Sequence, residues 1–275
     1  NVPAVPLSPA AYTGVNGGLV VLAADDPGMH SSQNEQDTRF YARSAHIPLL
    51  EPADSAEAKA FTELAFELSE KYDTPVFVRT TTRLAHSQSF VETGERREVP
   101  LREYVKDIKK YTMMPASAIG RHIAVEARED KLAADVNGMD IVREEMRSRS
   151  LGVVCSGVVY EYVREALPEA SVLKLGIVYP VALDRVREFA AKVDRLVVVE
   201  ELEPFIEDTL KAAGIACEGK NIFSRQGELS TAIIAEKLLG KKVNAEKLDL
   251  PVRPPVMCAG CPHRGVFYVL SKLKL

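Results

Sequence analysis

Apolar positions along this chain form two kinds of run, short unbroken ones and longer ones at helical spacing, and the two alternate. Leu19-Val20-Val21-Leu22-Ala23-Ala24 is unbroken and of strand length, introduced by Gly17-Gly18 and closed by Asp25-Asp26-Pro27-Gly28. It predicts a buried strand ending in a turn. From His30 to Asp37 no side chain is apolar, which excludes the segment from a core, and Phe40 and Tyr41 then resume a helical pattern. Ile47-Pro48-Leu49-Leu50 reads as a second strand. Asp54 with Glu57 forms a capping-box pattern, and Ala58, Phe61, Ala65, Leu68 and Tyr72 make one helical stripe. Pro75 stops that helix and Val76-Phe77-Val78 opens the next strand. Strand, helix, strand in this order predicts a parallel sheet, whose ligands sit beyond the carboxyl ends of its strands. Asp25 to Asp37 occupies such a position.

Residues 83–115 are polar and charged without a sustained period and read as a connection. Amphipathic helices are predicted over 116–134 and around 141–149. A second α/β unit follows: strands over 151–155, 171–176 and 195–199, helices over 158–167, 181–193, 205–213 and 229–239. The stretch 241–256, with Pro251, Pro254 and Pro255, reads as an extended linker.

Composition narrows the class. The 275 residues are 46% hydrophobic and 27% charged, enough for one large or two ordinary cored domains. Lys and Arg number 35 against 39 Asp and Glu, a formal net charge of -4 with no basic run, so nucleic acid is not an expected partner. No apolar run approaches the roughly 20 residues of a membrane span. Four cysteines (Cys155, Cys217, Cys258 and Cys261) without a signal-peptide pattern point to a reducing, cytoplasmic compartment and no disulfide framework.

The sharpest local chemistry is Cys258-Ala259-Gly260-Cys261-Pro262-His263. Two thiolates so spaced can share one zinc or one iron of a cluster, with Gly260 allowing a tight turn. No second pair exists at recognisable spacing, so the motif is either a metal or cofactor site completed elsewhere or a reduced structural pair. A dithiol redox role is a third reading. The Asp25–Asp37 stretch suits recognition of a polar ligand, or is a solvated turn built from turn-forming residues. Thr80-Thr81-Thr82-Arg83 with His86 offers an anion-binding edge or, more simply, a helix cap and a surface arginine. Glu200-Glu201-Leu202-Glu203-Pro204 fits a helix dipole better than an acid cluster. GxGxxG, Walker and HExxH patterns are absent.

The run Ala11 to Asp37, which contains Ala24-Asp25-Asp26-Pro27-Gly28-Met29-His30-Ser31-Ser32-Gln33-Asn34-Glu35-Gln36-Asp37, resembles the alpha subunits of indolepyruvate ferredoxin oxidoreductases. Val78 to Ser87, Val197 to Ile206 and Pro254 to Arg264 are similar to further segments of the same family, in the same order. The resemblance implies an α/β chain with mainly parallel sheets: the C-terminal part of a pyrimidine-type thiamine-diphosphate-binding domain over 1–87, connecting helices over 88–149, and a transketolase-C-like domain over 150–240. After the linker, 257–275 would start a thiamine-diphosphate domain. It implies oxidative decarboxylation of aryl pyruvates such as indolepyruvate to acyl-coenzyme A. Electrons would pass through [4Fe-4S] clusters to ferredoxin, with magnesium, a smaller beta subunit and an oligomer as further requirements. By the same resemblance Asp25, Asp26, His30, Ser31, Ser32, Gln33, Asn34, Gln36, Asp37, His263 and Arg264 would be cofactor-binding, and Cys258 and Cys261 candidate cluster ligands.

Departures from the family are specific. The glutamate that activates the aminopyrimidine, the Gly-Asp-Gly segment with its downstream Asn, and a ferredoxin-like CxxCxxCxxxCP run are all absent from the sequence. The chain therefore resembles a central piece of such an enzyme or a reduced relative, with no catalytic residue assigned, and alone it is expected to be inactive. The rival reading is a non-catalytic α/β module that docks on a partner through the polar loop.

Overall fold

The computed structural model describes residues 4–30, 32–96, 98–101, 103–242 and 257–274. Ser31 and most of the proline-rich linker fall outside them. Two compact units, Asn1–Lys242 and Val243–Leu275, divide the chain.

The first unit is α/β with two four-stranded sheets. It opens with α1 (Ala4–Thr13), a helix the apolar pattern does not announce, then β1 (Val20–Asp25), α2 (Thr38–Ala45), β2 (Leu49–Leu50), α3 (Ser55–Tyr72) and β3 (Val76–Thr81). β1 and β2 both lie parallel to β3, as strand-helix-strand alternation requires. The α3 cap forms as read: Asp54 Oδ1 accepts from the Glu57 amide at 2.8 Å, and Glu57 Oε2 accepts from the Ala53 amide at 2.8 Å, one residue ahead of the cap. Such a cap contributes about 1 kcal/mol. Phe61, Ala65, Leu68 and Tyr72 are the buried apolar face of α3.

β1 departs from expectation. It is an edge strand with β3 as its neighbour, and Leu22 is 67% exposed. An unbroken apolar run does not distinguish a central strand from an edge strand whose outer face is uncovered.

After α4 (Thr82–His86) and α5 (Ile108–Tyr111) comes the long helix α6 (Pro115–Asp135), with Pro115 at its first turn. The stretch read as a helix around 141–149 is instead β4 (Val142–Glu145), whose Val-Arg-Glu-Glu sequence suits one buried and one wet face. Then follow β5 (Gly152–Ser156), α7 (Val159–Ala166), β6 (Ser171–Leu175), β7 (Ile177–Tyr179), α8 (Leu183–Ala190), β8 (Leu196–Val199), α9 (Phe205–Ala212) and α10 (Thr231–Leu239). β5 lies parallel to both β6 and β8, while β4 runs antiparallel along the outer side of β6.

Each sheet thus has three parallel strands and one antiparallel edge strand. The antiparallel edge of the first sheet is β7, which pairs with β2 but follows β6 of the second sheet after the single residue Gly176. At that crossing a Cβ would stand 2.6 Å from the Ile141 carbonyl oxygen and 2.8 Å from Phe61 Cζ, so only glycine fits. One buried cluster spans both sheets, with Phe77 and Val78 from the first and Val154, Leu173 and Leu175 from the second. A smaller one lies under α7 and α10, around Val153, Val172 and Ile234.

The second unit, over its described residues, is α11 (His263–Leu273), preceded by a turn in which the Cys261 amide donates to the Cys258 carbonyl at 3.1 Å. Gly260 takes a positive φ of 78° there, as the tight turn was expected to need.

Candidate functional site

The strands end on acid. Asp25 closes β1, Glu51 follows β2, and Glu200 and Glu201 follow β8, and all four are buried. Two buried arginines meet them. Arg79 of β3 donates from Nε to Asp25 Oδ2 at 2.5 Å and from Nη1 to Glu51 Oε1 at 2.6 Å. Arg39 of α2 forms a fork on Asp37, Nε at 2.8 Å and Nη2 at 2.6 Å, while its Nη1 reaches Glu200 Oε2 at 2.6 Å. Nη2 of Arg39 also donates to the carbonyls of Glu201 and Glu203 at 2.9 and 3.0 Å. The Ser156 hydroxyl, at the end of β5, donates to Glu51.

Glu200 does two things at once. Besides pairing with Arg39, it accepts from the Ile206 and Glu207 amides at 3.0 Å each, capping α9 from within the chain. The acidic run after β8 is therefore a helix-end device, as the sequence favoured. Burial pushes the Glu200 carboxyl up from its ordinary value, against the pull of Arg39 and the two amides. Burial acts the same way on Glu201, whose Oε1 accepts from the Leu229 amide at 2.9 Å. For Asp37 burial works upward but is outweighed by the Arg39 charge and hydrogen bonds and by the Arg79 charge, leaving the carboxyl below its ordinary range.

The polar loop divides accordingly. Asp25 and Asp37, its two ends, turn inward: Asp25 also accepts from the Thr38 amide and hydroxyl at 2.9 and 2.5 Å, and Asp37 caps α2. Among the described residues none of 30–37 joins the apolar clusters, as expected, although the Asp37 side chain is only 8% exposed because it pairs with the buried Arg39. Between the ends, Asp26, Ser32, Gln33, Asn34 and Gln36 line an open cleft of about 290 Å³ together with Ala24 and an edge of Asp25. Asp26 is oriented within it, accepting from Thr82 Oγ1 at 2.6 Å and Ser32 Oγ at 3.0 Å. His30 points elsewhere, its Nε2 2.9 Å from Glu228 Oε2. Arg83 also binds Glu228, through Nε at 3.0 Å and Nη2 at 2.7 Å, so the Thr-Thr-Thr-Arg segment serves structural contacts and not an anion edge.

The cleft fits a hydrogen-bonding, uncharged or cationic ring: its linings are amides, hydroxyls and carboxylates. It does not fit a diphosphate, since no basic side chain lines it. Among the described residues no group of three or more His, Cys, Asp or Glu is placed to hold a metal ion. Neither magnesium nor an iron–sulfur cluster finds a ligand set there. Cys258 is exposed and Cys261 half-buried, and His263 and Arg264 stand on the first turn of α11. The other thiols are passive: burial pushes Cys155 up to about 12 and Cys217 up to about 11. No described helix is long and apolar enough to cross a membrane.

Arg39, Arg79, Glu51 and Ser156 escape a reading by motif. The available signal was the acid that ends or follows the apolar runs of β1, β2 and β8 (Asp25, Glu51 and Glu200), which needs a cation only once it is known to be buried.

No protein-family model matches the chain. It is similar over 95% of its length, at 40% identity, to indolepyruvate oxidoreductase subunit IorA of Methanothermobacter thermautotrophicus, of which it covers 46%. To the subunit of the same name from Archaeoglobus fulgidus it is 35% identical over 99% of its length, covering 48%. The chain spans about half the length of the curated relatives it matches. Its fold matches 2-oxoglutarate:ferredoxin oxidoreductase from Magnetococcus marinus, solved with 2-oxoglutarate, coenzyme A and succinyl-CoA bound. That match has a TM-score of 0.63 and 14% identity, over 86% of this chain and 51% of that one. At that identity the likeness is one of fold.

Proposed function

Taking as premise the likeness of this chain to the IorA subunits of indolepyruvate oxidoreductase, we propose that it forms part of a thiamine-diphosphate-dependent oxidoreductase. That enzyme decarboxylates aryl pyruvates such as indolepyruvate oxidatively to acyl-coenzyme A, with ferredoxin as electron acceptor. The single observation that carries the reading is the likeness over 95% of this chain, which spans 46% of the relative; the polar cleft beyond the carboxyl end of β1 supports it. In this reading the 1–87 segment serves as the C-terminal part of a pyrimidine-type domain and 150–240 as a transketolase-C-like domain.

When bound, thiamine diphosphate supplies the electron sink for loss of carbon dioxide from the 2-oxoacid. The chain's own residues bind and orient. Asn34, Gln33 and Gln36 offer amide donors and acceptors to a heteroaromatic ring, and Asp26, fixed by Thr82 and Ser32, offers a carboxylate acceptor to an exocyclic amine. Asp25 and Asp37 hold the loop by its ends. Cys258 and Cys261 remain candidate cluster ligands and His263 and Arg264 candidate cofactor contacts, with the rest of the magnesium, diphosphate and [4Fe-4S] sites supplied by other parts of the enzyme and a smaller subunit completing the oligomer.

Full-length enzyme reconstituted with its partner subunit should reduce ferredoxin in the presence of indolepyruvate and coenzyme A. Asp26→Ala and Asn34→Ala should lower that rate at least about tenfold, the effect of losing roughly 1.4 kcal/mol of transition-state binding. A reconstituted complex that fails to reduce ferredoxin with any 2-oxoacid would sink the proposal.

A further inference from the structure

Besides its buried ends at Asp25 and Asp37, the loop that lines the cleft is touched at its outer turn by a distant segment of the chain, at Glu228. Glu228 Oε2 stands 2.9 Å from His30 Nε2 and accepts from Arg83 Nη2 at 2.7 Å, while Arg83 Nε donates to both Glu228 oxygens at 3.0 Å. The carboxylate is the sheltered member, its side chain 13% exposed against 44% for His30 and 58% for Arg83. A Cβ on Gly28 would lie 3.5 Å from the Glu228 amide nitrogen, so the two backbones run close enough there for one methyl group to fill the space.

Glu228 stands on fixed ground. The next amide, of Leu229, donates to the buried Glu201 Oε1 at 2.9 Å, the Leu229 side chain belongs to the buried cluster under α7 and α10, and Ser230 caps α10. Both cations that Glu228 holds adjoin cleft residues. Thr82, beside Arg83, donates to Asp26, and His30 lies in sequence between Asp26 and Asn34, with the Gly28 amide tied to Glu35 Oε1 at 2.9 Å. We propose that Glu228 is a positioning residue for the cleft, a bracket that keeps the outer turn of loop 26–36 against α4 and so fixes the placement of Asp26 relative to Asn34. Removing the carboxylate leaves no buried charge unpaired, because His30 and Arg83 both reach solvent; it releases the turn at little cost to stability.

The link to ligand binding rests on the reading of the cleft as a ring-binding site, whereas the bracket itself does not, and the test has an arm for each. In the full-length protein without cofactor, Glu228→Ala should speed hydrogen exchange at the amides of Gly28, His30 and Asn34 by about threefold or more, the scale of half-exposed ion pairs, with β3 amides unchanged. His30→Ala should add nothing to this in the Glu228→Ala background. Unchanged exchange in the loop, equal acceleration in β3, or additive effects of the two substitutions would overturn the bracket. In the reconstituted enzyme, the thiamine diphosphate concentration that gives half-maximal ferredoxin reduction should rise about threefold or more in Glu228→Ala and less in Glu228→Gln, which keeps one acceptor, with the saturated rate little changed. A wild-type response with no shift in Glu228→Ala would overturn the link to the ligand alone. Wild-type enzyme indifferent to thiamine diphosphate would sink the ring-binding reading and that link together, while the exchange measurement still decides the bracket.

Discussion

Two regions built from the same residue types, only a few positions apart, have opposite fates. Asp25 and Asp37 are sealed under Arg79 and Arg39, whereas Asp26, Asn34 and Gln36 between them face an open cleft. The difference lies in what each meets across the fold, not in composition. A loop can be anchored by buried ion pairs at its ends while its middle, braced by its own hydrogen bonds such as Ser32 to Asp26, still presents polar side chains to an open cleft.

The comparison breaks hardest at Arg39. Arg39→Ala strands Asp37 and Glu200 as buried carboxylates, and should cost about 3–5 kcal/mol in urea denaturation. A loss below about 1 kcal/mol would show that the network is no anchor. In the cleft the reverse holds: Asn34→Ala and Gln33→Ala should change stability by no more than about 0.5 kcal/mol while activity of the complete enzyme falls. Equal losses of stability and activity would erase the distinction.

Titration separates the carboxylates further. Asp37, held below its ordinary 3.8, contributes stability that is complete above that value and lost as pH falls through the folded value. Glu201, raised above 4.5 by burial, contributes stability that is complete below 4.5 and lost as pH rises through its folded value. Denaturation between pH 7 and 4.5 should therefore find stability rising on acidification, with a slope of at most about 1.4 kcal/mol per pH unit from this one carboxyl, and then falling in more acid solution. Glu201→Gln should make the first limb shallower, leaving the part due to Glu200; an unaltered slope would refute its assignment. The smallest effect belongs to the rim, where Arg83→Ala removes an exposed pair with Glu228 and should cost no more than about 1 kcal/mol.

Much of the scaffold was legible from spacing. The capping residues of α3, the strand at 76, the α/β alternation of the second half and the helix after Pro204 follow from local rules that operate within a few residues. What was not legible depends on distant partners. β4 carries a pattern short enough to pass for a helix, and its strand form is decided by β6, some thirty residues later. Leu22 reads as core, but its burial depends on what lies beside β1. The cleft residues were named through the family resemblance, since polar density alone fits an ordinary solvated turn as well. Arg39 and Arg79 were not, because a buried arginine looks like any other until its carboxylates are placed, and Glu200 lies 161 residues from Arg39.

Gly176 carries a consequence for how the first unit comes apart. The same extended segment hydrogen-bonds in one sheet on one side of that residue and in the other sheet on the other, with no slack between. Neither sheet can lose its strands while the other keeps all of its own, so the two should melt in one cooperative transition, and hydrogen exchange at β2 and β6 should report a common opening event.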